Sequence, residues 1–187
     1  MPDSPEQVTQ LLLASADGDD HAREQVLNLV YGDLRRLAHK QLGHNNPNQT
    51  LSATALVHEA YLKLMERTGT EWNDRSHFFR MIAQAMRRVA IDYARYKLAD
   101  KRGGNATPVE IDSNELSDHD RATMILELED VMHRLAEVEP RLTDVVECRF
   151  FAGLNEVETA KALGASRRTV QRDWQRARSL LKEFLSN

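Results

Sequence analysis

The chain has 187 residues, of which 41% are hydrophobic and 29% are charged, and its formal net charge is −4. Five prolines and eight glycines are too few for a low-complexity protein, and the length allows two small globular domains. Because the chain is acidic overall, any affinity for nucleic acid must come from local basic patches and should be modest without a partner.

The N-terminal sequence, MPDSPEQ, contains no basic segment, and the longest early apolar run covers only residues 11–14. We therefore expect no signal peptide and no membrane-spanning helix, and the sequence predicts a cytoplasmic protein. The single cysteine, Cys148, cannot form an internal disulfide and lies in an apolar run, which indicates a buried thiol.

Three helices are predicted in the first third of the chain. Ser4 can cap the first helix, which should run from Pro5 to about Ala16. The second keeps an apolar helical period over residues 22–43. The third, residues 52–67, is apolar almost all the way round, so part of its surface should meet another protein, although a fully enclosed core helix fits almost as well.

A fourth helix, from about Ser76 to Leu98, should carry the first of two basic faces. Its predicted core stripe comprises Phe78, Ile82, Ala85, Val89, Tyr93 and Tyr96. The other side gathers Arg80, Arg87, Arg88 and Arg95. Arginines beside exposed rings are typical of sites for melted DNA, because phosphates need charge and unstacked bases need a flat surface. The candidate rings are Trp72, Phe78 and Phe79, although each could equally close the core.

Residues 99–122 lose the helical period and are rich in acids and small polar residues, which is typical of a flexible linker. Residues 123–138 and 140–151 then predict two more helices. No strand-like alternation occurs, so the predicted fold is all-α. It comprises an N-terminal helical bundle domain, residues 1–98, joined by the linker to a C-terminal four-helix domain with a helix-turn-helix, residues 123–187.

The stretch 155–184 reads as a helix, a tight turn and a second helix. Asn155 can cap the first helix, with Glu158 as its capping-box partner. Gly164 should end that helix, and Ser166 should cap the next. The second helix should bury one stripe, formed by Val170, Trp174, Ala177, Leu181 and Phe184.

The opposite side of this last helix is the second basic face, and it is typical of a helix that reads DNA. It carries Arg167, Arg168, Gln171, Arg172 and Gln175. Six basic residues and one acid, Asp173, lie between Arg167 and Lys182 in a chain that is acidic overall, and such clustering favours a phosphate-binding face. The plainer alternative is a solvated amphipathic helix packed on a small bundle.

The sequence contains no complete motif for catalysis or metal binding. His58 and Glu59 begin an HExxH motif, but Leu62 stands where the second zinc-binding histidine is needed. There is no phosphate loop, no GxGxxG and no motif around a serine or cysteine nucleophile. We therefore expect neither an enzyme nor a metal site or other cofactor.

Two helical domains, a linker and a helix-turn-helix in this order resemble the extracytoplasmic-function (ECF) type of bacterial RNA polymerase sigma factor. The most specific segments are ALVHEAYLKLM at 55–65, SHFFRMIAQAMRRVAIDYAR at 76–95 and ECRFFAGLNEVETAKALGASRRTVQRDWQRARSLL at 147–181. The resemblance implies a protein that binds core RNA polymerase and directs promoter-specific transcription initiation. The implied partners are the clamp of the largest subunit, the flap of the second-largest subunit and promoter DNA, with an anti-sigma factor left open and no membrane.

The resemblance also assigns roles to residues by matching position. The first segment would dock on the polymerase clamp through Leu56, His58, Glu59 and Tyr61. The second would read and help to open the minus-ten element through Arg87, Arg88, Asp92 and Arg95. The third would read the minus-35 element through Ser166, Arg167, Arg168, Gln171, Arg172 and Gln175. Many members carry a tryptophan where Met81 stands, so stacking on opened DNA would fall to the three candidate rings.

Two other classes of protein fit parts of this pattern. A stand-alone helix-turn-helix repressor or activator, with residues 1–98 as a dimerisation or sensing bundle, should bind duplex DNA by itself at a two-fold site. A sigma factor should instead need the polymerase. A protein–protein adaptor would leave both basic faces without a purpose.

Overall fold

A computed structural model of the chain describes residues 5–16, 19–42, 51–65, 74–100 and 117–186. These residues form eight α-helices and no strand, which confirms the all-α prediction. The helices are α1 (Pro5–Ala16), α2 (Asp20–Leu42), α3 (Ala53–Met65), α4 (Arg75–Asp100), α5 (Asp118–Val138), α6 (Pro140–Val146), α7 (Glu156–Ala162) and α8 (Arg167–Ser186). A π-helical turn, Glu147–Phe151, continues α6.

Capping side chains account for helix starts on both sides of the predicted linker. Asp19 caps α2 by accepting hydrogen bonds from the backbone N–H groups of residues 21 and 22 at 2.9 and 3.1 Å. Ser117 and Asp120 form a capping box that starts α5. Residues 118–122 are therefore helical rather than linker, as are residues 99–100 at the end of α4. Residues 101–116 of the predicted linker lie outside the described residues.

Helix α3 has one buried and one exposed side. Its buried residues are Ala53, Leu56, Val57, Ala60 and Leu64, which pack towards α2 and α4. The apolar residues that the sequence distributes almost all round the helix therefore fall mainly on one face. Leu62 is the large exception, because it is 58% exposed on the opposite face.

Helix α4 is the centre of the fold, since it contacts α1, α2, α3, α5, α7 and the π-helical turn. Its burial is wider than the predicted stripe, because helices pack on more than one of its sides. The buried apolar residues are Phe78, Phe79, Ile82, Ala83, Met86, Val89, Ala90, Ile91 and Ala94. Tyr96 was predicted to lie in the core, but this is wrong, because its side chain is 66% exposed; Ala94 is the last residue that α4 buries.

The C-terminal helices complete the same core. Helix α6 packs against α5 and α8, and α7 packs against α8. The apolar cluster is continuous from Val8 in α1 to Ala177 in α8, so both halves of the chain contribute to it. The two halves approach closely near Gly153, where an added Cβ would lie 3.0 Å from Cδ2 of Leu37. No helix in the described ranges is long and apolar enough to cross a membrane.

Candidate nucleic-acid interface

The first helix of the predicted helix-turn-helix is held by its cap. The Asn155 side-chain oxygen accepts hydrogen bonds from the backbone N–H groups of Val157 at 2.9 Å and Glu158 at 3.0 Å. The Glu158 carboxylate accepts the backbone N–H of Asn155 at 2.9 Å in return. The predicted capping box is therefore confirmed, and it fixes where α7 begins.

The turn between α7 and α8 has the conformation that the sequence predicted. Gly164 has φ +59°, and nothing lies within 4 Å of a Cβ built there, so glycine is needed for its backbone conformation and not for space. The Ser166 hydroxyl accepts the backbone N–H of Thr169 at 3.1 Å and caps α8. Ala160 on α7 and Val170 on α8 are both buried where the two helices are packed together.

The buried side of α8 holds a stripe of apolar residues and one carboxylate. Val170 and Ala177 are fully buried, and Trp174, Leu181 and Phe184 pack against the core, as predicted. Asp173 is only 3% exposed, and its carboxylate accepts hydrogen bonds from the Arg141 guanidinium on α6, with Nε at 2.7 Å. A buried carboxylate needs such a partner. This ion pair therefore fixes which side of α8 faces α6.

The exposed side of α8 displays the whole predicted reading face. Its members, all exposed, are Ser166, Arg167, Arg168, Gln171, Arg172 and Gln175. Glu156 on α7 supports two of them, because one carboxylate oxygen lies 2.7 Å from Gln171 Nε2 and 3.8 Å from Arg167 Nη2. A carboxylate can only accept hydrogen bonds, so the amide nitrogen of Gln171 must face Glu156. The amide oxygen of Gln171 is left free to accept another bond.

The arginines of α4 fall on two faces instead of the single predicted face. A seven-residue spacing returns to nearly the same side of a helix, so Arg80 and Arg87 share one face, and Arg88 and Arg95 share another. Arg88, Asp92 and Arg95 are exposed. The side chain of Arg87 is 15% exposed and forms ion pairs with carboxylates of the C-terminal half, as does Arg80. The prediction is wrong here because the C-terminal half packs against the Arg80 face.

The rings expected to stack on opened DNA are not available together. Phe78 and Phe79 are 0% and 2% exposed, so both close the core, as the alternative interpretation had it. Trp72 lies outside the described residues. The exposed ring beside the basic residues is that of Tyr96, which directly follows Arg95. Tyr96 was assigned to the core because it is aromatic and continues the helical spacing of the predicted stripe. The sequence alone does not show that burial of α4 stops at Ala94.

The residues assigned to polymerase docking lie on both sides of α3. His58 and Glu59 are exposed, while Tyr61 is partly buried and donates its hydroxyl hydrogen to the Arg23 carbonyl at 3.1 Å. Leu56 is fully buried in the core, so its side chain cannot form part of a docking surface in this structure. Leu62, four residues after His58 and three after Glu59, is the large apolar side chain on the exposed face.

Metal binding and the reactivity of the cysteine can both be examined in the described residues. Among them, no three histidine, cysteine, aspartate or glutamate side chains cluster so as to hold a metal ion. Cys148 is buried, as predicted, and burial raises the pKa of its thiol to about 12. The thiol is therefore a poor nucleophile at neutral pH.

A family model described as ECF sigma factor matches residues 5–187. The match spans all eight helices and the three segments that carry the resemblance. The comparison with curated proteins found no match, and the comparison with solved structures found none either.

Proposed function

Because the chain belongs to the ECF sigma factor family, whose members act in transcription initiation, we propose that it binds core RNA polymerase and directs it to promoters with a specific pair of elements. In this proposal α8 reads the minus-35 element, α4 contacts the minus-ten element and α3 docks on the clamp of the largest subunit. The C-terminal half would also meet the flap of the second-largest subunit. The site of action would be the cytoplasm.

The observation that carries the proposal is the exposed face of α8. Its six polar residues lie opposite the buried stripe, and the caps on Asn155 and Ser166 set the angle at which α8 leaves the turn. A helix so presented can enter the major groove, where arginines pair with guanine or phosphate and glutamine pairs with adenine. Glu156 would orient Gln171 so that its amide oxygen faces the amino group of a base.

The minus-ten contact would involve the exposed side of α4. Arg88 and Arg95 provide positive charge for phosphates, and Asp92 lies between them, within 4.0 Å of Lys63 on α3. Tyr96 adds an exposed ring at the end of this row, where an unstacked base could pack on it. Arg87, assigned to the same element by resemblance, is occupied by carboxylates in this arrangement of the chain.

The polymerase contact would involve the exposed side of α3. His58, Glu59 and Leu62 lie within one turn of one another on that face. Lys63 lies 3.5 Å from Glu59, so the acid is already oriented along the helix. An exposed leucine flanked by polar groups is a suitable centre for a small protein interface.

The proposal is tested by adding the purified chain to core polymerase on a library of random upstream sequences and sequencing the transcripts. We expect transcripts from templates that share two elements at a fixed spacing. A variant with both Arg168→Ala and Arg172→Ala should bind polymerase but lose selection of the upstream element. Equal transcription with and without the chain would contradict the proposal.

A further inference from the structure

One carboxylate lies beside the exposed face of α8 although it belongs to the other helix of the helix-turn-helix. Glu156 is the first residue of α7 and directly follows the cap Asn155, so the capping box fixes its backbone position. Its side chain is 30% exposed, and one of its oxygens lies 2.7 Å from Gln171 Nε2 and 3.8 Å from Arg167 Nη2. Two members of the proposed reading face therefore share an acid that a capped helix holds in place.

This acid is unfavourable for DNA affinity as such. A carboxylate beside a DNA-binding face repels the phosphates that the face must approach. An acid in the first turn of a helix stabilises that helix through its dipole, but this effect requires no contact with Gln171. The 2.7 Å hydrogen bond to Gln171 has an ionised acceptor, and such bonds are among the stronger ones. The contact therefore points to a role in which bases the face selects.

The contact determines which way the amide of Gln171 faces. The amide nitrogen is a donor and the amide oxygen is an acceptor, whereas the Glu156 carboxylate can only accept. Turning the amide by 180° would place its oxygen against the carboxylate, so that two acceptors would face each other without a hydrogen between them. With its nitrogen held by Glu156, Gln171 presents its oxygen for a further hydrogen bond.

The four bases differ in what they offer to an oxygen acceptor in the major groove. Adenine and cytosine each carry an amino group there, whereas guanine and thymine carry a carbonyl oxygen. The fixed oxygen of Gln171 can accept a hydrogen bond from either amino group, but it repels either carbonyl. A glutamine that is free to turn could instead direct its nitrogen to guanine or thymine and bind them as well.

We infer that Glu156 is a specificity-determining residue of the reading face, which makes Gln171 accept adenine or cytosine and reject guanine and thymine at one position of the upstream element. The inference rests on the proposed minus-35 role of α8. Glu156 contacts no base itself and acts as a positioning residue through Gln171. Its charge weakens binding to every duplex, while its hold on the amide weakens binding to the wrong bases further, which is how rejection of competitors produces specificity.

The test uses the full chain with core polymerase and an upstream element selected from a random library. Gln171→Ala identifies the base pair that Gln171 reads, as the position where base preference is lost. Four duplexes that differ only at this position are then titrated with wild type and with Glu156→Gln. The new amide has the same shape as the carboxylate but can also donate, so it permits both orientations of Gln171. The matched control is Glu183→Gln, which removes the same charge from an exposed position near the end of α8.

We expect the wild type to bind the adenine duplex roughly 5–150-fold more tightly than the guanine and thymine duplexes, the range for one specific base contact. Glu156→Gln should bring this ratio towards one, because it binds the guanine and thymine duplexes more tightly, whereas Glu183→Gln should keep the wild-type ratio. The ratio is measured within one preparation, so partial unfolding of a variant cancels from it. A wild-type ratio in Glu156→Gln, or an equal change for all four duplexes, would overturn the inference.

Two comparisons separate the possible failures. Glu156→Gln added to Gln171→Ala should leave the base preference of Gln171→Ala unchanged, and a further change there would show that Glu156 acts through another residue such as Arg167. If Gln171→Ala alters no position while Arg168→Ala still relaxes selection, this inference fails and the proposed reading by α8 stands. If neither variant alters selection, the minus-35 role of α8 fails and the inference fails with it.

Discussion

The exposed and buried leucines of α3 offer a sharp test of how the chain meets polymerase. Leu62→Asp places a charge at the centre of the exposed face, whereas Leu56→Ala removes side-chain atoms from the core. We expect the first change to weaken polymerase binding without loss of stability, and the second to reduce stability without loss of binding by the folded protein. Leu13→Asp, at a 48% exposed leucine of α1, is the matched control for adding a surface charge.

The size of each effect follows from burial. Complete burial of a leucine contributes about 1.5–3 kcal/mol, and Leu62 is 58% exposed, so about 1–2 kcal/mol is available to a partner. The aspartate also loses hydration at the interface, and together these should weaken binding by roughly tenfold or more, since about 1.4 kcal/mol corresponds to tenfold. Leu56→Ala should lower the free energy of unfolding by about 2–5 kcal/mol, as for other buried leucines.

The assay combines urea unfolding, followed by circular dichroism, with a titration of labelled core polymerase by each variant below its unfolding range. Wild-type polymerase affinity in folded Leu62→Asp would refute the docking face. A loss of affinity in Leu13→Asp as large as that in Leu62→Asp would show that added charge alone is responsible. A stable Leu56→Ala protein that no longer binds polymerase would show that polymerase contacts the side of α3 that is buried in this structure.

Three other substitutions test the helix-turn-helix. Arg168→Ala should weaken binding of the polymerase complex to the minus-35 element by about 1–3 kcal/mol and relax base preference. The control Lys182→Ala, further along α8, should leave base preference unchanged. Equal selectivity of the two variants would argue against the reading face. Asp173→Asn should lower the free energy of unfolding by about 1–3 kcal/mol, because the Arg141 guanidinium loses its charged partner. A urea midpoint equal to that of the exposed control Asp130→Asn would contradict this prediction. Gly164→Ala should cost about 1–2 kcal/mol of stability through its positive φ alone, and a midpoint unchanged from wild type would show that the turn readily adopts another conformation.

Features set by neighbouring residues were predictable from the sequence. The capping box at Asn155 and the turn at Gly164 depend on contacts within a few residues, the stripe starting at Val170 depends on helical spacing, and all three are confirmed. The early start of α5 was also readable in principle, because Ser117 and Asp120 have capping-box spacing. It was missed because an acidic, polar segment without apolar period reads as linker.

Features set by distant contacts were not predictable. Helical spacing places Arg80 and Arg87 on one side of α4, but it does not say that carboxylates 42 to 64 residues later will face them. Leu56 and Leu62 are equally apolar in the sequence, and only the packing of α3 against α2 and α4 separates them. Asp173 stood out as the one acid between Arg167 and Lys182, yet its partner on α6 lies 32 residues away.

The measurement that tests the sigma-factor proposal most directly is the affinity of one selected promoter duplex for the chain alone and for the chain with core polymerase. We expect weak, non-selective binding by the free chain and tight, sequence-specific binding once polymerase is added, with the specificity lost when the upstream element is scrambled. A tight two-fold complex between the free chain and duplex DNA, unchanged by polymerase, would contradict the proposal and favour a stand-alone repressor or activator.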